Sequence, residues 1–555
     1  MYTLTFKIEG RSDVKCQVES GENILEVAVR EGVEIDAPCA GNGTCGKCRV
    51  RLISGAVESD SNPHLSKEDY EDMWRLACQS RVLADATVWV PESAGAFKEN
   101  IATADLSSPQ ELFRYEKATE AIFAAGLSKE CSSDGYGIAV DIGTTTVTAA
   151  LLELKTGKIL SKASRGNGQI RFGADVINRI IQQSKPGGKE RLQRAVREET
   201  LIPIIETLFK DSGKTADDIS RIVIAGNTTM EHLFIGADAE SIRLEPYVPE
   251  FLELEPLNAV EYGLPARADA KLILAPNVGS YVGGDITAGV LDTLIWNTDE
   301  MSLFIDLGTN GELVLGNKDF MLCCACSAGP AFEGGDISCG MRATKGAIDS
   351  IKIDPETLEP EYTLISGEKP LGLCGSGLID TVSELFRTGA INAKGKFVRE
   401  SKRVRYDEFG GYYIIAFPEE SASGKSIELN EGDLDNFIRA KGAIFSAIRT
   451  MLKSLSITVQ DIDKILIAGG IGSGINIENS IYLGMLPKIP LEKYSYIGNS
   501  SLTGACAMLL SDDAEQKVFE IGRNMTYIEL STEAGYMDEF LAACFIPHTD
   551  SSLFE

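Results

Sequence analysis

Two stretches of this chain share one pattern, 165 positions apart. Ile138-Ala-Val-Asp141-Ile-Gly143-Thr144-Thr145-Thr146-Val147 reads as an apolar strand ending in aspartate, a glycine-containing turn, and a second apolar strand, Val147–Leu152. Phe304-Ile-Asp306-Leu-Gly308-Thr309-Asn310-Gly311-Glu-Leu-Val-Leu repeats it, and third strand-like runs follow at Lys158–Ser164 and Phe320–Ser327. A second echo lies further along each half. Ile222-Val-Ile-Ala-Gly226-Asn227-Thr228-Thr229 matches Ile465-Leu-Ile-Ala-Gly469-Gly470-Ile-Gly472-Ser473-Gly474, each an apolar strand that ends in small residues before a helical stretch. This repetition predicts two similar α/β lobes facing one another.

The residue types at those turns suit one chemistry. Turn glycines let backbone N–H groups approach phosphate oxygens with no Cβ in the way. Thr144, Thr145 and Thr309 add hydroxyl donors beside Asn310. Asp141 and Asp306, at facing strand ends, can hold a hydrated Mg²⁺, which takes few carboxylates and keeps several waters. Gly469 and Gly470 let an adenosine lie against bare backbone. One strand-end aspartate before a turn is common, whereas three such motifs in order at domain-scale spacing are not. The rival phosphate loop is missing, since Asp211-Ser-Gly213-Lys214-Thr215 has Leu208 where G-x-x-x-x-G-K-T needs glycine.

A separate signal lies near the start. PCAGNGTCGKCRV places Cys39, Cys45 and Cys48 at C-x5-C-x2-C spacing, and Cys78 follows in RLACQSRV. Four thiolates meet the need of a [2Fe–2S] cluster, two per iron, and Gly41, Gly43 and Gly46 let the loop curl so that amides face the sulfides. The flanks predict strands at Leu4–Ile8 and Val14–Val18 and a helix over Ile24–Arg30. Structural zinc usually takes two close cysteine pairs rather than a triplet and a distant fourth. Gly41-Asn-Gly43-Thr-Cys-Gly46 also matches G-x-G-x-x-G, but a proposed ligand inside the string makes a dinucleotide site an accident of spelling. Cys323, Cys324 and Cys326, with Cys339 nearby, are read as buried thiols, because strand neighbours point to opposite faces. The turn-rich loop Ser327-Ala-Gly329-Pro330-Ala-Phe332-Glu333-Gly334-Gly335 is a candidate for contacting a partner or the γ-phosphate.

Composition narrows the partners. With 53 basic and 82 acidic residues the net charge is −29, which repels phosphate backbones and anionic membranes, so no nucleic-acid partner is expected. No run of apolar residues is long enough for membrane insertion, and no leader pattern opens the chain, so a cytoplasmic protein is expected. Thirteen cysteines in that setting argue for metal ligation and buried thiols. His64, His232 and His548 sit in no metal-ligand pattern and are read as surface or packing residues. Residues 93–133 change register to Ser, Ala, Gly and charge around one amphipathic piece, Glu111–Phe123; as a flexible linker they would reach on the order of 35 Å.

The three ordered motifs resemble the phosphate-1, phosphate-2 and adenosine motifs of the actin, Hsp70 and sugar-kinase superfamily, whose lobes are RNase H-like. The N-terminal part resembles β-grasp [2Fe–2S] ferredoxins, with the first gap closer to the adrenodoxin-like branch. Together with DLGTNGE, SAGPAFEGG, AGGIGSG and the ending Ala542-Ala-Cys-Phe-Ile-Pro547-His548-Thr, the chain resembles the reductive activators of corrinoid proteins. The resemblance implies an α+β multidomain chain. It would comprise a ferredoxin domain over 1–92, a linker over 93–133, a first ATPase lobe over 134–300 and a second over 301–555. It implies a [2Fe–2S] cluster on Cys39, Cys45, Cys48 and Cys78, and Mg²⁺ and ATP at Asp141, Asp306 and the turn residues, with Gly311, Gly472 and Ser473 among the nucleotide contacts. The implied function is ATP-dependent reduction of inactive Co(II) corrinoid to Co(I), with a corrinoid protein as partner, a ferredoxin or flavodoxin as donor, and a homodimer as the assembly. Three other readings remain open: an activator of the 2-hydroxyacyl-CoA dehydratase type, a small-molecule kinase with an accessory ferredoxin domain, and a non-redox chaperone or filament member.

Overall fold

A computed structural model of the protein describes residues 1–33, 35, 37, 41, 43, 46–62, 65, 67–91, 102–103, 109–408, 410–470 and 474–554. Cys39, Cys45, Gly472 and Ser473 therefore lie outside the described residues, as does His64.

The N-terminal part is a five-stranded sheet in the order Val14–Val18, Tyr2–Ile8, Ala86–Val90, Arg49–Ser54, Trp74–Leu76. Alternation puts Leu4 and Phe6 fully inside, and Tyr2–Ile8 pairs antiparallel with Val14–Val18 and parallel with Ala86–Val90. The predicted helix Ile24–Arg30 forms as expected. Asn23 caps it by accepting from Leu25 N and Glu26 N, and Ile24, Leu25, Val27 and Ala28 turn inward. Among the described residues, the buried core of this part draws only on residues between Leu4 and Val90.

Two larger sheets carry the internal echo. In the first, Lys271–Leu274, Ile219–Gly226, Tyr136–Ile142, Thr146–Glu153 and Ile159–Gly166 run in that spatial order. In the second, Tyr494–Gly498, Lys464–Ala468, Ser302–Leu307, Gly311–Asn317 and Phe320–Cys326 take the same places. Each lobe opens with an antiparallel hairpin whose first strand then pairs parallel with a later one, Ile219–Gly226 or Lys464–Ala468. The registers match closely. Asp141 lies beside Ala225, and Asp306 beside Ala468.

Each lobe has a core of its own, and a third core is shared between them. Helices Gly284–Thr293 and Ser500–Leu510 cross between the sheets, and one continuous core joins Ala139, Leu152 and Val223 to Phe304, Leu502 and Leu509. The crossing is close because small residues meet there: a Cβ on Gly504 would stand 2.0 Å from the Ala288 carbonyl oxygen. The outer face of the first sheet is covered by a second core that includes Ile180, Leu192, Ile205 and Phe234.

The stretch read as a linker is not extended throughout. Its amphipathic piece is the helix Pro109–Ala124, with Ile122 and Phe123 buried in the shared core and Tyr115 Oη donating to the Gly157 carbonyl at 3.0 Å. Burying each such side chain contributes about 1.5–3 kcal/mol, which holds this part against the first lobe. Strand Ala102–Thr103 also adds to the edge of the first sheet through Ala163 and Ser164.

Among the cysteines of strand Phe320–Cys326, Cys324 and Cys326 pack into the second lobe's core while Cys323 faces the core shared between lobes. Burial raises all three thiols above the usual range, which fits packing rather than ligation. His232 is buried and stacked on Phe251, with ring centroids 4.0 Å apart, and His548 is buried too.

Candidate functional site

The two aspartate turns meet where the lobes face each other. A cavity of about 270 Å³ is lined by Asp141, Gly143, Thr144, Thr145, Asp306, Gly308, Thr309, Asn310, Gly469 and Gly470. Strand pairing explains the convergence, since each aspartate is the penultimate residue of an interior strand, just before the chain leaves the ladder. Gly469, at φ +92°, sits so close that a Cβ there would stand 2.7 Å from Asp306 Oδ1 and 2.3 Å from the Leu307 carbonyl oxygen. Only glycine fits that position.

Gly311 stands apart from the other turn glycines. It pairs with Leu307 and turns toward Cys326, whose sulfur would be 2.7 Å from an added Cβ; its smallness serves packing, and it does not line the cavity. Thr144 lines the cavity but spends its hydroxyl internally, accepting from Asn227 Nδ2 at 2.9 Å. Asn167 Nδ2 donates to the Gly143 carbonyl at 2.9 Å, and the buried Arg179 donates to the Thr144 carbonyl from behind. The turn is thus braced by three side chains of its own lobe.

Thr145 and Thr309 face each other across the gap. Their hydroxyl oxygens are 2.9 Å apart, and Glu333 Oε2 accepts from Thr145 at 2.9 Å and from Thr309 at 2.8 Å. Glu333 belongs to the turn-rich loop singled out in the sequence, so one residue of that loop does reach both phosphate-type turns.

Four carboxylates surround the cavity besides Glu333. Asp141 accepts from Asn499 Nδ2 at 2.8 Å and Ser501 Oγ at 3.0 Å. Glu312 stands beside Asp306 on the paired strand, and Asp285 begins helix Gly284–Thr293. Burial, with Asp141 and then Glu333 adding repulsion, raises Asp306 to about 7. Burial and the neighbouring carboxylates likewise push Asp285 and Glu312 up, and burial raises Asp141 against its two hydrogen bonds. Such a site holds protons when empty of cations and favours a divalent ion that would displace them. Helices Gly284–Thr293 and Ser500–Leu510 both start at the cavity, so two N-terminal dipole ends add positive potential for an anion.

Sequence reasoning missed Asp285, Glu312, Asn499 and Ser501. Gly283-Gly284-Asp285 and Asn499-Ser500-Ser501 are helix starts after a loop or strand, which was a usable signal; nothing marked Glu312 apart from its place in DLGTNGE. A second cavity of about 470 Å³ adjoins the first. It shares Thr145, Thr146, Glu333 and Gly470 with it and extends to Gly375, Ser376, Gly474 and Asn476.

The cysteine loop is described at Cys48 and Cys78, both buried. Ala77 N donates to the Cys48 carbonyl at 2.8 Å and Asn23 Nδ2 to the Cys78 carbonyl at 2.8 Å, which ties the two cysteine segments to each other and to the helix cap. Gly41, Gly43 and Gly46 all have positive φ, as a loop curling past those thiols requires. Two buried thiols beside a glycine loop are a donor set that fits half of a [2Fe–2S] ligand shell.

A β-grasp ferredoxin domain on a two-lobed α/β ATPase fold defines the class of this protein. Family models for a 2Fe-2S iron–sulfur cluster binding domain, for the RACo middle region and for the C-terminal domain of RACo, its ASKHA domain, match residues 6–83, 136–297 and 300–555. The chain is 34% identical over 424 residues to the corrinoid activation enzyme RamQ of Eubacterium limosum, covering 75% of this chain and 71% of that one. It is 25% identical over 421 residues to the [Co(II) methylated amine-specific corrinoid protein] reductase of Methanosarcina barkeri, covering 70% and 73%. A solved structure of a reductive activator for corrinoid, iron-sulfur protein superposes over 100% of both chains with a TM-score of 0.70 and 37% identity. The chain belongs to the family of ATP-dependent reductive activators of corrinoid proteins.

Proposed function

We propose that the interlobe cavity binds Mg·ATP and that its hydrolysis drives the activation carried out by this protein. The protein is an ATP-hydrolysing activator that returns the Co(II) corrinoid of a partner protein to Co(I). The supporting observation is the convergence of the Asp141 and Asp306 turns on one carboxylate-lined cavity, in a chain that also carries a ferredoxin domain.

Asp141 and Asp306 hold the hydrated Mg²⁺, each able to accept from its waters. The Gly143–Thr145 and Gly308–Asn310 turns receive phosphate oxygens, with Thr145 and Thr309 hydroxyls transferring from Glu333 to the phosphate. The adjoining cavity, at Gly470, Gly474 and Ser376, takes the nucleoside. Cys39, Cys45, Cys48 and Cys78 hold the [2Fe–2S] cluster, which supplies a one-electron carrier of low potential. ATP is needed because the transfer is uphill, and each ~59 mV of a one-electron gap is a factor of ten in equilibrium constant.

A ferredoxin or flavodoxin as donor, a homodimer and a cytoplasmic setting complete the reading. The donor and the assembly are what the family resemblance implies, and among the described residues no helix is long and apolar enough to cross a membrane.

The test mixes reductant, ATP and a Co(II) corrinoid protein and follows cobalt by absorption. Wild type is expected to produce Co(I). Asp306→Ala is expected to lose Mg²⁺-dependent hydrolysis and net cobalt reduction while keeping the cluster signal. Cobalt reduction by Asp306→Ala at the wild-type rate and extent would mean that ATP is not coupled through this cavity. ATP turnover that responded to a small phosphoryl acceptor instead of a corrinoid protein would mark a kinase.

A further inference from the structure

We propose that Arg342 is a catalytic arginine for ATP hydrolysis, delivered by the second lobe to the phosphate-binding turn of the first. The inference rests on reading the interlobe cavity as the ATP site. Among the described residues, Arg342 is the one cationic side chain that lines either of the two adjoining cavities. It stands at the rim with Thr145, Thr146 and Glu333, and its Nη2 lies 3.4 Å from the Thr145 carbonyl oxygen, across the gap between lobes.

The arm that carries it is built to aim. A Cβ on Gly334 would stand 2.4 Å from Met341 N, and one on Gly340 would stand 2.6 Å from the Gly334 carbonyl oxygen. Two glycines therefore let the loop after Glu333 fold back on itself. Met341 N then donates to the Leu373 carbonyl at 2.8 Å and Leu373 N to the Cys339 carbonyl at 2.9 Å, pinning the base of the arm to strand Gly372–Leu373. Glu333 and Arg342 leave that fold on the same side, and the Glu333 carboxylate acts electrostatically on the guanidinium.

The charge pattern shows why a cation is needed there. Asp141, Asp285, Asp306, Glu312 and Glu333 line the first cavity, and a triphosphate adds further negative charge. A Mg²⁺ ion offsets part of it. Arg179 is fully buried behind the turn and lines neither cavity. A charged phosphoryl oxygen beside Thr145 is a stronger acceptor for the guanidinium than the Thr145 peptide carbonyl.

In hydrolysis a water oxygen bonds to the γ-phosphorus as the bond to the β,γ-bridging oxygen breaks. The products are ADP, inorganic phosphate and one proton released to solvent. Negative charge grows on the bridging oxygen and is spread over the γ-phosphoryl oxygens in the transition state, and Arg342 donates hydrogen bonds to those atoms.

The test compares wild type with Arg342→Ala, Arg342→Lys and Asp306→Ala in hydrolysis, in ADP binding and in binding of ADP with aluminium fluoride, a mimic of the transferring phosphoryl group. Arg342→Ala is expected to lower kcat by about 10³-fold, as loss of an arginine finger does. Its ADP affinity should stay within about twofold while the aluminium fluoride complex is lost, because the contact is made to the transition state. Arg342→Lys should restore only part of the rate, a point charge replacing a fork of donors. The proposal is overturned if Arg342→Ala hydrolyses ATP like wild type, or if it loses ADP and the aluminium fluoride complex equally. If Asp306→Ala also hydrolyses like wild type, the ATP-site reading itself fails.

Discussion

Asp306 shows how a single carboxylate can be tuned by its surroundings. Its folded pKa of about 7 lies above its ordinary 3.8, so as pH rises the unfolded chain gives up this proton first. The sign follows: in the absence of Mg²⁺ this group makes the protein less stable as pH climbs from about 4 to about 7, by a few kcal/mol at most. Thermal unfolding of metal-free protein is expected to show that decline, Asp306→Asn is expected to flatten it, and added Mg²⁺ is expected to reverse it. Equal pH profiles for wild type and Asp306→Asn would remove the cause assigned here. Gly469→Ala tests the same carboxylate from outside. It forces a Cβ onto Asp306 Oδ1 from a backbone at φ +92°, and should cost about 1–3 kcal/mol in urea unfolding together with most nucleotide affinity. Asp141, Asp306 and Gly469 were readable in the sequence because each is part of a local turn whose constraints are written in consecutive letters. Glu312 and Asp285 were not, because their approach to Asp306 depends on which strand and helix become neighbours. Gly311 shows the converse case. It sits inside a phosphate-type motif, but what excludes its side chain is Cys326, fifteen positions away in sequence and adjacent only in the sheet.

Among the elements, the crossing of helices Gly284–Thr293 and Ser500–Leu510 has the most consequences. It places Asp285 at one N-terminus and Ser501 at the other, so the packing of the two helices sets the spacing of groups around the cavity. Gly504→Val is expected to destabilise the protein by about 1–3 kcal/mol or more, the usual range for overpacking, and to weaken nucleotide binding though residue 504 lines neither cavity. Isothermal titration with ADP would check this; undiminished affinity in a folded Gly504→Val protein would mean the crossing does not position the site. The sequence showed both strand echoes because alternating and continuous apolar runs have short periods. It did not show this crossing. Small residues such as Gly504 and Gly289 carry no periodic signal, and their meaning appears only when the partner helix is in place.

For the whole molecule, the cores divide the chain unequally. Among the described residues the ferredoxin part closes its core within residues 4–90, whereas the two lobes, each with a core of its own, share a further one. Residues 1–91 expressed alone are expected to fold and, given iron and sulfide, to show the electron paramagnetic resonance signal of the full chain. Replacing Cys48 with serine should abolish it, while the same change at Cys16, buried by β-sheet packing and outside the motif, should leave it intact. The two lobes should instead melt together in one calorimetric transition; two resolved transitions within residues 109–555 would contradict the shared core. The two-lobe plan was legible from the repeated motifs, and the joint core was not. A repeat tells how each half is built but says nothing of how the halves touch.

That joint core also bears on how the protein is made. The inner face of the first sheet is complete as strands once Leu274 has been synthesised, yet part of its cover, Leu502 to Leu510, is more than two hundred residues further on. At ribosomal speeds of roughly 5–20 residues per second, that face waits on the order of tens of seconds for its last helix. During that interval an apolar surface is exposed on a nascent chain, and a chaperone able to hold it should raise the yield of active protein more than it would for the self-contained N-terminal part.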